Sequence, residues 1–301
     1  MDQIQSIMTT VCPEPISSAN QTDDRDLKGL KSYRLHFLKT EFDRGWWRYI
    51  CQIVGEFYEE IQVFGLSSEG STDRFNASSY RQNTGDPLAL IQDSIDSAVE
   101  RLKESEFDYV KNRWKADITN IEDTLESVNH LLRKSTLPTN RHRREAARFF
   151  REPVIQFAKV TLPIIKLSRL FFAKLTKRGL NQARLPFLTE MSSGQLESLA
   201  EVAGSVDEDL LQLIRRLRLI DVHLEAAART RELTPIAKKV VSRFESAIFL
   251  VLLYLVPVIP ATGNVASQDY FKSWLATWNH SMILAHDNLE RAAKLLANPP
   301  G

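Results

Sequence analysis

The sequence predicts an all-α protein, an elongated antiparallel bundle of about eight helices, and three observations lead there. Apolar residues recur at spacings of three and four over most of the 301 residues, the signature of helices with one buried face. Helix-opening signals, among them Asp86-Pro87 and Thr234-Pro235, stand where those periods begin. No run of alternating apolar and polar residues is flanked by hairpin turns, so essentially no sheet is expected.

Residues 1–25, with Pro13, Pro15 and several Ser, Asn and Asp, show no sustained period and read as a mobile tail. Residues 26–301 form the bundle, with subdomains expected at 26–134 and 139–297. Leu27, Leu30, Phe37 and Leu38 start a helical face, and Trp46, Ile50, Ile53, Phe57, Ile61 and Phe64 continue it after a break near Gly45. The Ser-, Gly- and Asn-rich segment 66–85 reads as a flexible surface loop. Pro87 opens a helix striped by Leu88, Ile91, Ile95, Ala98 and Leu102. The next helix is the most regular: Trp114, Ile118, Ile121, Leu125, Val128 and Leu132 alternate steps of four and three, a bundle seam.

Thr139 to Lys177 has a helical pattern, but Pro153 and Pro163 each remove a backbone donor and are expected to kink or split it. Ser192 with Gln195 resembles a capping box opening a short helix that Gly204 ends, and Ser205 with Glu208 opens the next, carrying Leu210, Leu213, Ile214, Leu217 and Leu224. Thr234-Pro235 begins a helix that runs into the apolar stretch Ala247 to Ala261. At fifteen residues broken by Pro257 and Pro260, that stretch is shorter than the roughly 18–20 a bilayer crossing needs and reads as a buried core helix. The last helix, from about Ser267 to Ala297, puts Phe271, Trp274, Trp278, Met282, Ala285 and Leu289 on one side.

Charge is unevenly distributed. From Arg133 to Arg184 there are 14 Lys/Arg against Glu145 and Glu152 alone, a net +12, while the whole chain is formally +1 and the remainder therefore −11. A basic block of this kind either faces an acidic partner or is neutralised by the chain's own acidic helices. Arg141, Arg144, Arg148 and Arg151 fall on one helical stripe, and Lys166, Arg169, Lys174, Lys177 and Arg178 extend it. These cations are candidates for partner binding. The intramolecular alternative is that Asp93, Asp96, Glu100 and Glu104 of an earlier helix face them. Trp46 and Trp47 add a second candidate, because adjacent helical residues diverge by about 100° and one indole of the pair is directed away from the core.

Catalytic signatures are missing. Six His residues are scattered without HExxH, the two Cys form no CxxC, and GxxxxGK[ST], GxGxxG after a strand and GxSxG are all absent. Inward Glu-x-x-His pairs that would hold metals in a bundle are not found. No catalytic residue, cofactor or metal is therefore expected. With Cys12 and Cys51 alone, the core and not a disulfide framework has to hold the fold.

Toward the C-terminus, Leu162-Pro-Ile-Ile-Lys-Leu-Ser-Arg-Leu-Phe-Phe-Ala-Lys-Leu, Thr189-Glu-Met-Ser-Ser-Gly-Gln-Leu, Arg243-Phe-Glu-Ser and Tyr270-Phe-Lys-Ser-Trp-Leu-Ala-Thr-Trp-Asn resemble an expanded family of uncharacterised all-helical proteins from rust fungi, over about Leu125 to the end. The resemblance implies candidate secreted effectors acting in virulence or avirulence inside plant cells, with no catalytic residues to carry over. A looser architectural likeness is to vinculin-like adaptor bundles. The start, Met-Asp-Gln-Ile-Gln-Ser, lacks the basic and apolar regions of a secretory signal. Either the protein is cytoplasmic, or it is delivered to the host cytoplasm after a signal has been removed. The leading expectation is a non-enzymatic interaction module that engages a plant host protein, an immune receptor or a kinase among the candidates. The alternatives are an intracellular scaffold and phosphate or nucleic-acid binding through the basic helix.

Overall fold

The computed structural model describes residues 23–41, 49–51, 53–55, 87–135, 151–179, 185–222, 232–259 and 267–297. The expected loop at 66–85, Trp46 and Trp47, and the 139–150 part of the basic helix lie outside them. Among the described residues every regular element is helical and no strand occurs. The α-helices are α1 (Ser32–Glu41), α2 (Pro87–Lys103), α3 (Glu106–Ser135), α4 (Glu152–Lys174), α5 (Ser193–Val222), α6 (Leu233–Leu250) and α7 (Ser267–Ala297). The chain divides into two compact units, residues 1–104 with 192–194, and 105–191 with 195–301. The division falls at 104/105 and not at the expected 134–139, because α3 packs on α4 as part of one core.

The first unit is organised by one carboxylate. Asp24, at the end of the expected tail, is buried. It accepts the backbone N–H of Ser32, at the start of α1, at 2.7 Å, and the backbone N–H of Ser193, at the start of α5, also at 2.7 Å. Ser193 Oγ donates to the same carboxylate and accepts the N–H of Tyr33 at 3.0 Å. One anion thus satisfies the orphan donors of two helix starts, where the helix dipoles favour negative charge. At the other end, Arg34 donates to the carbonyls of Leu102 at 2.9 Å and Glu104 at 3.1 Å, capping the C-terminus of α2 with a cation. Burial opposes ionisation of Asp24, but hydrogen bonds from Ser193 and Ser32 outweigh it and hold the carboxyl below its ordinary 3.8. The stability this adds is present above that value and lost as pH falls through the lower folded value. Asp24→Ala is expected to cost about 1–3 kcal/mol and to flatten the acid limb of the unfolding curve, measured by urea titration between pH 2 and 5.

Among the described residues the second unit is an up-down bundle of five α-helices. Glu122 on α3 pairs with Arg169 on α4 at 2.6 Å, while Trp114, two turns earlier on α3, meets Phe172, further along α4. These contacts make α3 and α4 antiparallel. Arg151 at the start of α4 pairs with Asp221 near the end of α5. Arg216 late on α5 meets Glu232 just before α6, while Asp209 earlier on α5 meets Lys239 and Arg243 further along α6. Gln268 bonds the carbonyls of Pro257 and Ile259, so each following neighbour also reverses direction.

A layer of rings binds the unit together. Trp114 of α3 lies 5.1 Å from Phe172 of α4, and Phe171 lies 5.1 Å from Phe244 of α6 and 4.9 Å from Trp278 of α7. The buried indole N–H groups are satisfied: Trp114 donates to Leu199 O of α5 at 2.9 Å and Trp278 to Leu167 O at 2.8 Å. All five helices therefore meet at this level. The Trp274/Trp278 seam is core, with Trp278 buried and Trp274 half-buried.

Helix ends follow local chemistry. Ser105 and Asp108 form a reciprocal box at the start of α3: Ser105 Oγ accepts the Asp108 N–H at 3.0 Å and the Asp108 carboxylate accepts the Ser105 N–H at 3.4 Å. Glu106, fully buried, accepts both the N–H and the hydroxyl of Thr189, at 2.7 and 2.6 Å, fixing the connection that leads into α5. Pro153 opens α4, in a turn that needs no donor, and Pro163 sits inside the same unbroken helix.

The break expected at Gly204 does not exist. Residues 193–222 are one helix, and the glycine serves packing: a Cβ there would sit 3.3 Å from Asp117 Oδ2 on α3. Leu233–Val258 is a described segment long and apolar enough, by length and composition, to cross a bilayer. Its inner side, including Val240, Phe244, Ala247 and Val251, is buried, while Phe249, Leu252 and Leu253 are exposed, so the expected buried core helix is buried on one side alone.

Candidate interaction face

The outer side of α4 carries the basic block. Gln156, Lys159, Pro163, Lys166 and Leu170 are all exposed and fall at steps of three and four, so they form one line along the helix. The chain then widens into a π-helical stretch, Leu175–Gly179, in which Lys177 is exposed. Lys159 and Lys166 are two turns apart, about 10 Å along the axis. Neither they nor Lys177 have a carboxylate partner among the described residues, and Leu170, 47% exposed, adds an apolar contact to the row.

Other cations of the block are engaged. Arg169 pairs with Glu122, at a position about half-exposed on both sides. Arg151 donates its backbone N–H to Asp221 Oδ1 at 3.0 Å and keeps its guanidinium Nε 3.9 Å from the same carboxylate. Lys174 is half-buried, bonds the Tyr270 hydroxyl and lies 4.8 Å from that ring's centroid and 5.9 Å from Trp274. It joins α4 to the start of α7 and is a structural cation.

Of the sequence candidates, Lys166 and Lys177 are exposed with no carboxylate partner among the described residues, while Arg151, Arg169 and Lys174 are engaged within the chain. Trp46, Trp47, Arg141, Arg144, Arg148 and the side chain of Arg178 lie outside the described residues. The exposed Lys159 stands apart from the arginine stripe and is not among the sequence candidates, although its i, i+7 relation to Lys166 is legible in the sequence. Arg169 is neutralised by Glu122 and Arg151 lies beside Asp221, while the expected pairing of Arg141, Arg144 and Arg148 with the acids of α2 falls on residues outside those described. On α2, Asp96 accepts from Gln92 and Glu100 pairs with Lys103, each within the helix itself. No group of three or more His, Cys, Asp or Glu suited to a metal is found among the described residues.

Fold and surface together define an all-α bundle protein whose helix α4 exposes lysines that no carboxylate pairs among the described residues. The chain belongs to the family described as Domain of unknown function (DUF8721), whose model matches residues 105–291. A second model, Domain of unknown function (DUF8723), matches residues 1–103, so the two matches meet where the compact units divide. No curated protein and no solved structure matches the chain.

Proposed function

We propose that this protein is a non-enzymatic helical interaction module that offers the outer face of α4 to a protein partner. In the setting implied by the rust-fungus resemblance, it is an effector acting in the plant cell, and the partner is a host protein such as an immune receptor or a kinase. The observation that supports this reading is the line of Lys159, Lys166 and Lys177, which no carboxylate of the described chain neutralises. Unpaired lysines on a rigid helix give orientation and association rate through complementary charge more than affinity. Pro163 and Leu170 between them supply apolar surface, which suits a protein better than a run of phosphates.

The test combines Lys159→Glu, Lys166→Glu and Lys177→Glu in one chain. The melting curve is expected to stay close to wild type, since exposed substitutions of this kind each change stability by about 0.5 kcal/mol or less. A host protein captured by the wild type, identified and then reconstituted in purified form, is expected to lose binding to the triple variant and to bind wild type more weakly at high salt. Undiminished binding by the triple variant removes this face from the reading, and retention of nucleic acid with a steep salt dependence favours the phosphate alternative.

A further inference from the structure

Acidic side chains of α3 act on a buried carboxyl of α5 with little to balance them. Asp207 is 7% exposed, and its Oδ1 is buried without a hydrogen-bond partner. Gly204, one turn earlier on the same helix, presents bare backbone to α3, and Asp117 occupies the space, its Oδ2 lying 3.3 Å from where a Cβ would be. Among the described residues the charged groups acting on Asp207 are Asp117 and Asp123 of α3, and both oppose its ionisation. The cation on that side, Arg113, acts on Asp117. On the α6 side, Lys239 and Arg243 are taken by Asp209, at 2.9 and 3.3 Å. Glu208, next along α5, points to solvent.

We propose that Asp117 and Asp207 form a proton-operated latch: neutral Asp207 lets α3 and α5 close over Gly204, and ionised Asp207 drives them apart. The inference is independent of the interaction reading, since it concerns the inside of the bundle and not the α4 face.

Burial, and then the charges of Asp117 and Asp123, push the Asp207 carboxyl up to about 6 from an ordinary 3.8. Burial raises Asp117 as well, with Arg113 opposing. A folded value above the unfolded one means that the stabilisation is complete below the unfolded value and is lost as pH rises through the folded one. The latch is thus closed in mild acid and sprung at neutral pH. Asp24 works in the opposite direction but below its ordinary 3.8, outside this window.

Denaturant unfolding of the full chain and of Asp207→Asn, from pH 4.5 to 7.5, tests the latch. Groups that Asp207→Asn leaves untouched contribute equally to both chains and cancel in the ratio of unfolding constants. Wild type over variant is expected to rise roughly 25-fold across that range and to level off above about pH 7; a ratio that stays constant would falsify the latch. If the variant does not fold, the wild type alone decides. The indole N–H of Trp114, which donates to Leu199 O across the same helix pair, is then followed by NMR alongside the Asp207 carboxyl carbon. A shared midpoint near pH 6 supports the proposal. An indole signal that ignores the carboxyl titration, or an Asp207 that titrates near 4, overturns it.

Discussion

Trp114→Ala is expected to destabilise the second unit by about 4 kcal/mol, near the upper end for a large-to-small core change. The indole is fully buried, stands edge-on to Phe172 at 5.1 Å and donates to Leu199 O. Truncation leaves a large cavity at the level where all five helices meet, and it strands a buried carbonyl on α5. Neighbouring rings cannot collapse into the space, because Phe171, Phe172, Phe244 and Trp278 already hold one another at 4.8–5.5 Å. Trp114→Phe separates the two contributions: it keeps most of the ring contact, gives up the hydrogen bond and is expected to cost about 1–2 kcal/mol. Urea unfolding followed by far-UV circular dichroism measures both. A loss below about 1 kcal/mol for Trp114→Ala means that the ring layer does not hold the bundle together.

The ring layer also shows what a sequence can reveal. Phe271, Trp278, Met282, Ala285 and Leu289 share one side of α7 by spacing alone, and all are buried. The aromatic pair Phe171 and Phe172 reads as core for the same reason and is fully buried. Misreadings occur where a residue's ordinary local meaning is overridden by a neighbour distant in sequence. Gly204 carries a helix-ending signature, yet Asp117, 87 positions away, needs its missing side chain, and the helix continues. Pro153 looks like a breaker but falls at a helix start.

For the candidate face, the charge asymmetry is legible and the pairing is not. Nothing in the spacing of Arg169 or Arg151 announces Glu122 or Asp221, since those partners depend on which helices become neighbours. Asp207 is equally silent in the sequence, because an acidic residue in a polar-looking stretch gives no sign that it is buried without a partner.

The seam of α3 provides the second large effect. Spacing assigns Trp114, Ile118, Ile121, Leu125, Val128 and Leu132 to one face, but the packing rotates that face. Phe107, Val110, Trp114, Ile121, Thr124, Val128, Leu131 and Leu132 are buried, while Ile118 and Leu125 are half-buried at its margin. The stripe is wider than a two-position seam because α3 packs against both α4 and α5. A charge placed in it therefore has position-dependent consequences. Ile121→Asp puts a carboxylate at a fully buried site with no cation in the apolar layer to receive it. It either ionises unpaired or stays protonated at a large cost, and a loss of about 4 kcal/mol or more, enough to unfold many domains, is expected. Leu125→Asp, at the margin, can turn its carboxylate toward water and is expected to cost about half as much. Thermal melts of the two variants at pH 7 decide the matter: equal losses, or a larger one at Leu125, mean that the buried side of α3 has been placed one position out of register.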